Sequence, residues 1–400
     1  MLNVVTTEKA EEILSEKFSF FSPEEEKVAL SSCVGRFLSQ DVVSQENIPS
    51  FNRSTVDGYA VKSENTFGSG ESIPSMLEIK GEILMGEEAG LSIEDGECLK
   101  ISTGGMLPEG ADAAVMVEFT ETLADETCLI FKAVSPFENV TRKGDDVRKN
   151  QVVLKRGTLL SSRHVGVLAA LGKTEVMCFK KLRVGIISSG DEIVPIEEKT
   201  EKGKVRDINS HILSAMLSQK GCVTDNFGIV KDKYDEIEKA VLKAAETCDI
   251  VLISGGSSAG ARDMTVRVIE NNGEVFFHGI AVKPGKPTIG GKIADKLILG
   301  LPGHPAAAFF ICEILLSPLL SLFYKNKNEK VAVKAKISSN ISSNHGREEI
   351  IPVILENNEA TPLFFKSSII SLLSNAHGYV RIDRNKEGLK KGEEVEVFLF

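Results

Sequence analysis

Between residues 182 and 324, short, fully apolar runs alternate with amphipathic stretches. That alternation restricts the middle of the chain to an α/β fold with a mostly parallel, doubly wound sheet. The runs 182–188, 249–254 and 297–301 are predicted to be buried strands. Residues 209–220 are predicted as a helix, with Leu213, Met216 and Leu217 on one face and Gly221 as its stop. Residues 234–247 form a second, with Ile237, Ala240, Val241 and Ala244 spaced for burial. Each strand enters a glycine-rich loop: Ser188-Ser189-Gly190-Asp191-Glu192, Gly255 to Gly260, and Pro302-Gly303-His304-Pro305. In such sheets, loops leaving the carboxyl edge expose backbone N–H groups that hold phosphate or an oxyanion.

The flanking segments have a different texture. Residues 7–17 and 23–32 are predicted as helices, the second begun by Ser22-Pro23 with Glu24, Glu25 and Glu26 in its first turn. From 41 to 160 short strands alternate with glycine turns, for example 79–84, 98–101, 113–118 and 128–133, and a helix at 164–171 follows. After 325 the runs 331–337, 350–355, 379–382 and 395–400 suggest a small terminal β-barrel. Four hundred residues suggest two to four domains. An apolar fraction of 42% beside 26% charged residues excludes a disordered or fibrous chain and a conventional membrane protein. The acidic N-terminal stretch does not suggest a signal peptide. The apolar stretch 306–324 contains Glu313, and an acid in mid-span costs ~2.5–3.5 kcal/mol on insertion. It is predicted to be a buried helix ending near Pro318.

Forty-seven basic against 57 acidic side chains give a formal charge of −10, which repels a phosphate backbone and argues against nucleic-acid binding. An anionic small substrate therefore requires locally concentrated cations. Val282-Lys283-Pro284-Gly285-Lys286-Pro287 supplies two ammonium groups around a stiff turn, and Arg142, Lys143 and Arg148 flank Gly144-Asp145-Asp146. Asp57, Asp146, Glu192 and Asp263 lie in or beside such loops. Carboxylates there suit Mg²⁺ with substrate phosphate, but each also fits a helix cap or a solvated side chain, Asp263 as the cap of 264–270. Spacing leaves both readings open. The seven cysteines are dispersed, without C-x-x-C, as expected of reduced, buried thiols in a cytoplasmic protein. Gly255 to Gly260 has P-loop spacing, but Ala261-Arg262 replaces the required Lys-Ser/Thr. Gly256-Ser257-Ser258-Ala259-Gly260 matches a nucleophile elbow, with Asp295 and His345 or His377 following, yet no oxyanion loop accompanies it.

Eight strings then occur in order: Ser54–Val61 (STVDGYAV), 101–118 (ISTGGMLPEGADAAVMVE), 142–146, 184–192 (VGIISSGDE), 207–210, 253–265 (ISGGSSAGARDMT), 282–288 (VKPGKPT) and 301–305. Together they resemble the MoeA-type molybdopterin molybdenumtransferases, relatives of the E domain of gephyrin, over nearly the whole chain. The resemblance implies a discontinuous extended domain at 1–45 and 141–178 and a β-rich domain at 46–140. An α/β domain at 179–325 and a β-barrel at 326–400 would follow. It implies Mg²⁺-dependent cleavage of adenylylated molybdopterin, release of AMP and insertion of molybdenum from molybdate. The expected form is a homodimer with an intersubunit cleft, supplied by a molybdopterin adenylyltransferase. On this basis Asp57, Glu192 and Asp263 are catalytic, and the same three with Asp146 bind metal. Thr103, Gly104, Ser257, Ser258, Pro302, Gly303 and His304 contact substrate, while Lys283, Lys286, Arg347 and Ser371 hold the oxyanion.

One loop departs from the pattern. The family usually has L-P-G-N-P-V-S where this chain has Leu301-Pro302-Gly303-His304-Pro305-Ala306-Ala307. An amide becomes His304 and a hydroxyl is lost at Ala307, so the alternatives are a paralogue handling another oxyanion, such as tungstate, and a non-catalytic scaffolding relative.

Overall fold

The computed structural model describes residues 4–124, 126–255, 259–326, 331–364 and 370–400, with the backbone alone for 259–262. It divides into two compact units, one of Met1–Gln40, Arg156–Ser162 and Glu175–Phe400, the other of Asp41–Lys155 and Arg163–Thr174.

The second unit is built on a six-stranded sheet in the order Ala113–Met116, Gly58–Val61, Glu97–Ile101, Ser75–Ile83, Thr127–Ile130, Thr120–Leu123. Tyr59, Val61, Cys98 and Val115 enter one core, and Ala60, Leu99 and Ile101 enter another. Because side chains alternate across a strand, Gly58–Val61 is buried throughout and reads as an unbroken apolar run. The helix expected at 164–171 is Ser162–Ala170.

In the first unit the central sheet runs Val223–Val230, Arg183–Ser189, Ile250–Gly255, Lys296–Leu301, Ile289–Ile293, Gly273–His278. The first four strands are parallel, and Ile289–Ile293 is antiparallel to both its neighbours. Helices Tyr234–Thr247 and Ala259–Asn272 cover one face through Ile237, Val241 and Ile269. Asn209–Gln219, Thr7–Lys17 and the long helix Pro305–Phe323 contribute to the larger core, which also takes in Ile350 and Tyr379 of the C-terminal strands. Those strands close into a small barrel in the order Glu348–Glu356, Glu359–Pro362, Ala332–Ile337, Glu394–Leu399, Gly378–Ile382 and back to the first. All seven cysteines are buried and unpaired, and burial pushes the Cys222 thiol up to about 12.

Two sequence expectations are corrected. Residues 23–32 do not form a helix: Glu25–Ala29 is a strand paired antiparallel with Glu175–Phe179, followed by a short 3-10 turn. Two of the acids that look like a helical first turn instead meet cations distant from a helical position, Glu24 with Lys180 at 2.6 Å and Glu26 with Arg36. Nor does the apolar helix end near Pro318. A π-helical turn at Cys312–Leu316 widens the backbone ahead of the proline, and the helix continues to Phe323. Glu313, buried in that turn, is matched by Lys220 at 3.0 Å and by the Ser317 hydroxyl at 3.4 Å. The helix is long and apolar enough to cross a membrane, but 78% of its apolar window is buried inside the protein, as in a core helix.

The N-terminus is sewn to the barrel through a polar contact. Glu348 is buried, accepts a hydrogen bond from Thr7 Oγ1 at 2.7 Å, and is ion-paired with Arg381. Arg381→Ala would strand that carboxylate. The expected loss is about 2–3 kcal/mol, below the ~3–5 of a fully buried pair because Arg381 remains 29% exposed. A shift in the urea unfolding midpoint of the full chain measures it, and Arg381→Met with Glu348→Gln, which leaves no unpaired charge, should lose less.

Candidate functional site

Register fixes where the site residues emerge. Ser189 lies opposite Gly255, and Ser254 opposite Leu301, so the loops after these three parallel strands leave the same carboxyl edge. Ile289 lies opposite Gly300 and His278 opposite Ile289, which brings the intervening Lys283–Thr288 segment to that edge as well. Only glycine fits at 255: its φ is +156°, and a Cβ would lie 2.0 Å from the Ser189 carbonyl oxygen. Gly285, at φ +128°, is pressed against Ile311 in the same way, a Cβ meeting its Cδ1 at 2.4 Å.

A cavity of about 600 Å³ opens beside this edge, lined from the α/β side by Lys283, Gly285, Lys286, Pro302, His304 and Ala307. The barrel contributes Ile341, Ser342, Arg347, Glu349 and Phe364 among others. The structure therefore brings together Lys283, Lys286, Pro302, His304 and Arg347. Lys283 Nζ lies 2.6 Å from Glu349 Oε1, whose other oxygen accepts from Ser343 Oγ at 2.7 Å. Lys283 and Glu349 are direct partners in the short parallel pairing of Val282–Lys283 with Glu348–Glu349. Three cations and one carboxylate among the described lining residues leave a formal charge of +2, in a protein whose total is −10. Such a cavity concentrates a small anion that the rest of the surface repels.

Deeper at the same edge, polar groups are held by the motif at 207–210. Asp207 accepts from Ser188 Oγ at 2.9 Å and from the Ser210 N–H at 3.1 Å. Asn209 donates to the Gly303 carbonyl at 2.9 Å and to Ser254. Asn209 Oδ1 and Ser210 Oγ are buried without a hydrogen-bond partner among the described residues. A buried polar atom left unpaired costs ~1–3 kcal/mol, so these atoms suit a polar ligand.

The remaining site residues are dispersed. Glu192 is exposed beside Gly190, its Oε2 lying 2.9 Å from where a Cβ on Gly190 would stand. Asp263 is exposed inside the helix Ala259–Asn272, so it does not act as the cap of a helix at 264–270. Ser371 is exposed in the 3-10 turn Ser371–Asn375 and does not line the cavity. Ser257 and Ser258 lie outside the described residues. In the other unit the Thr103 N–H donates to Asp57 Oδ1 at 2.7 Å, and the Gly104 N–H to the Ser54 carbonyl at 2.8 Å. Asp146 is exposed, its N–H bonded to the Ile48 carbonyl at 3.0 Å. Among the described residues no three His, Cys, Asp or Glu side chains converge to hold a metal. The histidines of the nucleophile-elbow pattern are occupied on the barrel, His377 with the Leu355 backbone and His345 3.8 Å from Glu387.

Sequence reasoning missed Glu349. The available signal was Glu348-Glu349 heading the apolar run Ile350-Ile351-Pro352-Val353, since two acids rarely begin a buried strand without partners.

Three family models cover most of the chain: the MoeA N-terminal region (domain I and II) over residues 5–172, the probable molybdopterin binding domain over 185–321, and the MoeA C-terminal region (domain IV) over 334–400. A putative molybdopterin biosynthesis protein of Methanocaldococcus jannaschii is 35% identical over 99% of this chain and 98% of its own length. The molybdopterin molybdenumtransferase of Haemophilus influenzae is 34% identical over 78% and 76%. A crystal structure of the molybdopterin biosynthesis MoeA protein from Pyrococcus horikoshii superposes with a TM-score of 0.87 at 31% identity, covering 99% of this chain and all of that one. The chain belongs to the MoeA family, and it is a transferase of molybdenum cofactor biosynthesis.

Proposed function

We propose that this chain inserts molybdenum from molybdate into adenylylated molybdopterin, with cleavage of the phosphoanhydride link and release of AMP. The observation that carries this reading is the cationic cavity formed by Lys283, Lys286 and Arg347 beside the carboxyl edge of the sheet. These side chains would neutralise and orient a tetrahedral dianion. The Asn209 and Ser210 oxygens, unpaired among the described residues, support a pterin-bearing substrate at the adjoining edge, where polar ring atoms would supply partners. Cleavage of a phosphoanhydride is mainly positioning and charge neutralisation, which this residue set can provide.

Mg²⁺ fits the donor chemistry. Glu192 and Asp263 offer hard carboxylate oxygens, exposed to solvent, and Mg²⁺ ordinarily takes one or two protein carboxylates with substrate phosphates completing its shell. Bound there, it would offset negative charge on the leaving phosphate. Asp57 and Asp146 are the corresponding acids of the other unit, with Asp57 oriented by the Thr103 N–H. Ser257, Ser258 and Ser371 we retain as substrate contacts from the resemblance. A cytoplasmic homodimer supplied by a molybdopterin adenylyltransferase is the working form we propose.

The paralogue reading has its own observation. Ala307 is 3% exposed and lines the cavity, and His304 lines it at the start of the long helix without capping it through its side chain. Both departures from the family loop thus face the oxyanion cavity.

Four outcomes test these readings. Incubation with adenylylated molybdopterin, Mg²⁺ and molybdate should release AMP in a molybdate-dependent way; without such release the transferase reading fails. Lys286→Ala should weaken molybdate dependence by about 10- to 100-fold, the worth of one charge-assisted hydrogen bond. Asp263→Ala should abolish AMP release while circular dichroism and sedimentation remain those of the parent. Finally, His304→Asn with Ala307→Ser should lower the molybdate concentration for half-maximal AMP release and shift the molybdate-to-tungstate preference. An unchanged concentration dependence would assign the loop no part in oxyanion choice.

A further inference from the structure

The cavity holds a carboxylate where an anion site would be expected to have none. Glu349 is 6% exposed, lies at the cavity wall, and is engaged on both oxygens, by Lys283 at 2.6 Å and by Ser343 at 2.7 Å. It is not a helix cap or a barrel-core strut. The adjacent Glu348 takes the structural role on the opposite side of the strand, against Thr7 and Arg381. Strand alternation sends one acid to the scaffold and the other to the cavity. Parallel register then sets Lys283 directly opposite Glu349, so the ion pair is built into the backbone pairing.

We propose that Glu349 is an internal counterion that sets the charge of the oxyanion cavity. The proposal deepens the oxyanion-binding reading above and rests on it. With Glu349 ionised, Lys283, Lys286 and Arg347 present a formal charge of +2, which matches a tetrahedral dianion. An incoming oxyanion takes Lys283 by partner exchange rather than capturing an unpaired ammonium, so ground-state binding is weakened and release is eased. Removing the negative charge raises the formal charge to +3. Every anion then binds more tightly, and a dianion gains more than a monoanion.

The test uses two tetrahedral anions of similar shape and different charge, molybdate and perrhenate, titrated calorimetrically into the full-length protein at fixed ionic strength. Glu349→Gln is expected to tighten perrhenate about threefold and molybdate about tenfold, so their ratio rises about threefold. That is the size of one Coulomb interaction per unit of anion charge at a water-like dielectric over about 6 Å. Structural damage would weaken both anions together and leave the ratio unmoved. Lys283→Met alone should lower the ratio about threefold. Lys283→Met with Glu349→Met keeps the formal charge at +2, and should return the ratio to within about twofold of the parent. This double variant also serves if Glu349→Gln does not fold. An unmoved ratio in Glu349→Gln, or a double variant that behaves like Lys283→Met alone, overturns the counterion role. If the parent protein binds neither anion, the oxyanion-cavity reading itself falls, and this inference with it.

Discussion

Two residues of parallel pairing, Val282 with Glu348 and Lys283 with Glu349, join the α/β sheet to the barrel within their unit. Much else depends on that short ladder. On one side, Val5 pairs with the 279–281 segment: its N–H bonds the Gly279 carbonyl at 3.1 Å and its carbonyl accepts from Ala281 at 2.8 Å. On the other side, Glu348 N–H bonds the Ala281 carbonyl at 2.9 Å, and the Glu348 carboxylate receives Thr7 and Arg381. Val5, Thr7, the lysine loop and the barrel strand Glu348–Glu356 are therefore held together. A slip of one residue in this ladder would exchange the faces of Glu348 and Glu349, sending the structural acid into the cavity and withdrawing the partner of Lys283.

The carboxyl edge of the sheet supplies the second constraint. Close approach of Ser189 to Gly255 and of Gly255 to Gly303 stacks three loops within contact, and Asn209 ties two of them by bonding Ser254 and Gly303. Asn209 Oδ1 and Ser210 Oγ lie buried there with no partner among the described residues. Folding does not favour such atoms, and their location beside the cationic cavity is the kind of local cost found where a ligand completes the hydrogen bonding.

Periodicity was legible where burial is simple. Tyr234–Thr247 was readable to its ends because its apolar residues fall on one helical face above a sheet. It failed where a partner distant in sequence determines the local structure. Glu24, Glu25 and Glu26 suit a helical first turn, yet the ladder with Glu175–Phe179 and the cations Arg36 and Lys180 make that segment a strand. Pro318 suits a helix end, yet a π turn accommodates it because Phe310, Leu315 and Phe323 are all needed in the surrounding core. The cavity lysines stood out by their stiff turn; Glu349 did not, because an acid at the start of a strand reveals neither its face nor its partner.

The sequence alone determined that the middle of this chain is a parallel α/β sheet with glycine loops at one edge, and that an anionic substrate would require cations gathered locally in so acidic a protein. Its ordered motifs also determined the family, since that information is carried by residue identity and spacing. Only the tertiary structure decided which of the marked residues meet. It brought Lys283, Lys286, His304 and Arg347 to one cavity, left Ser371 outside its lining, and set Glu349 against Lys283. The reason is physical: identity and period are local properties of a chain. Register between strands some 65 residues apart is chosen by the burial of both partners at once.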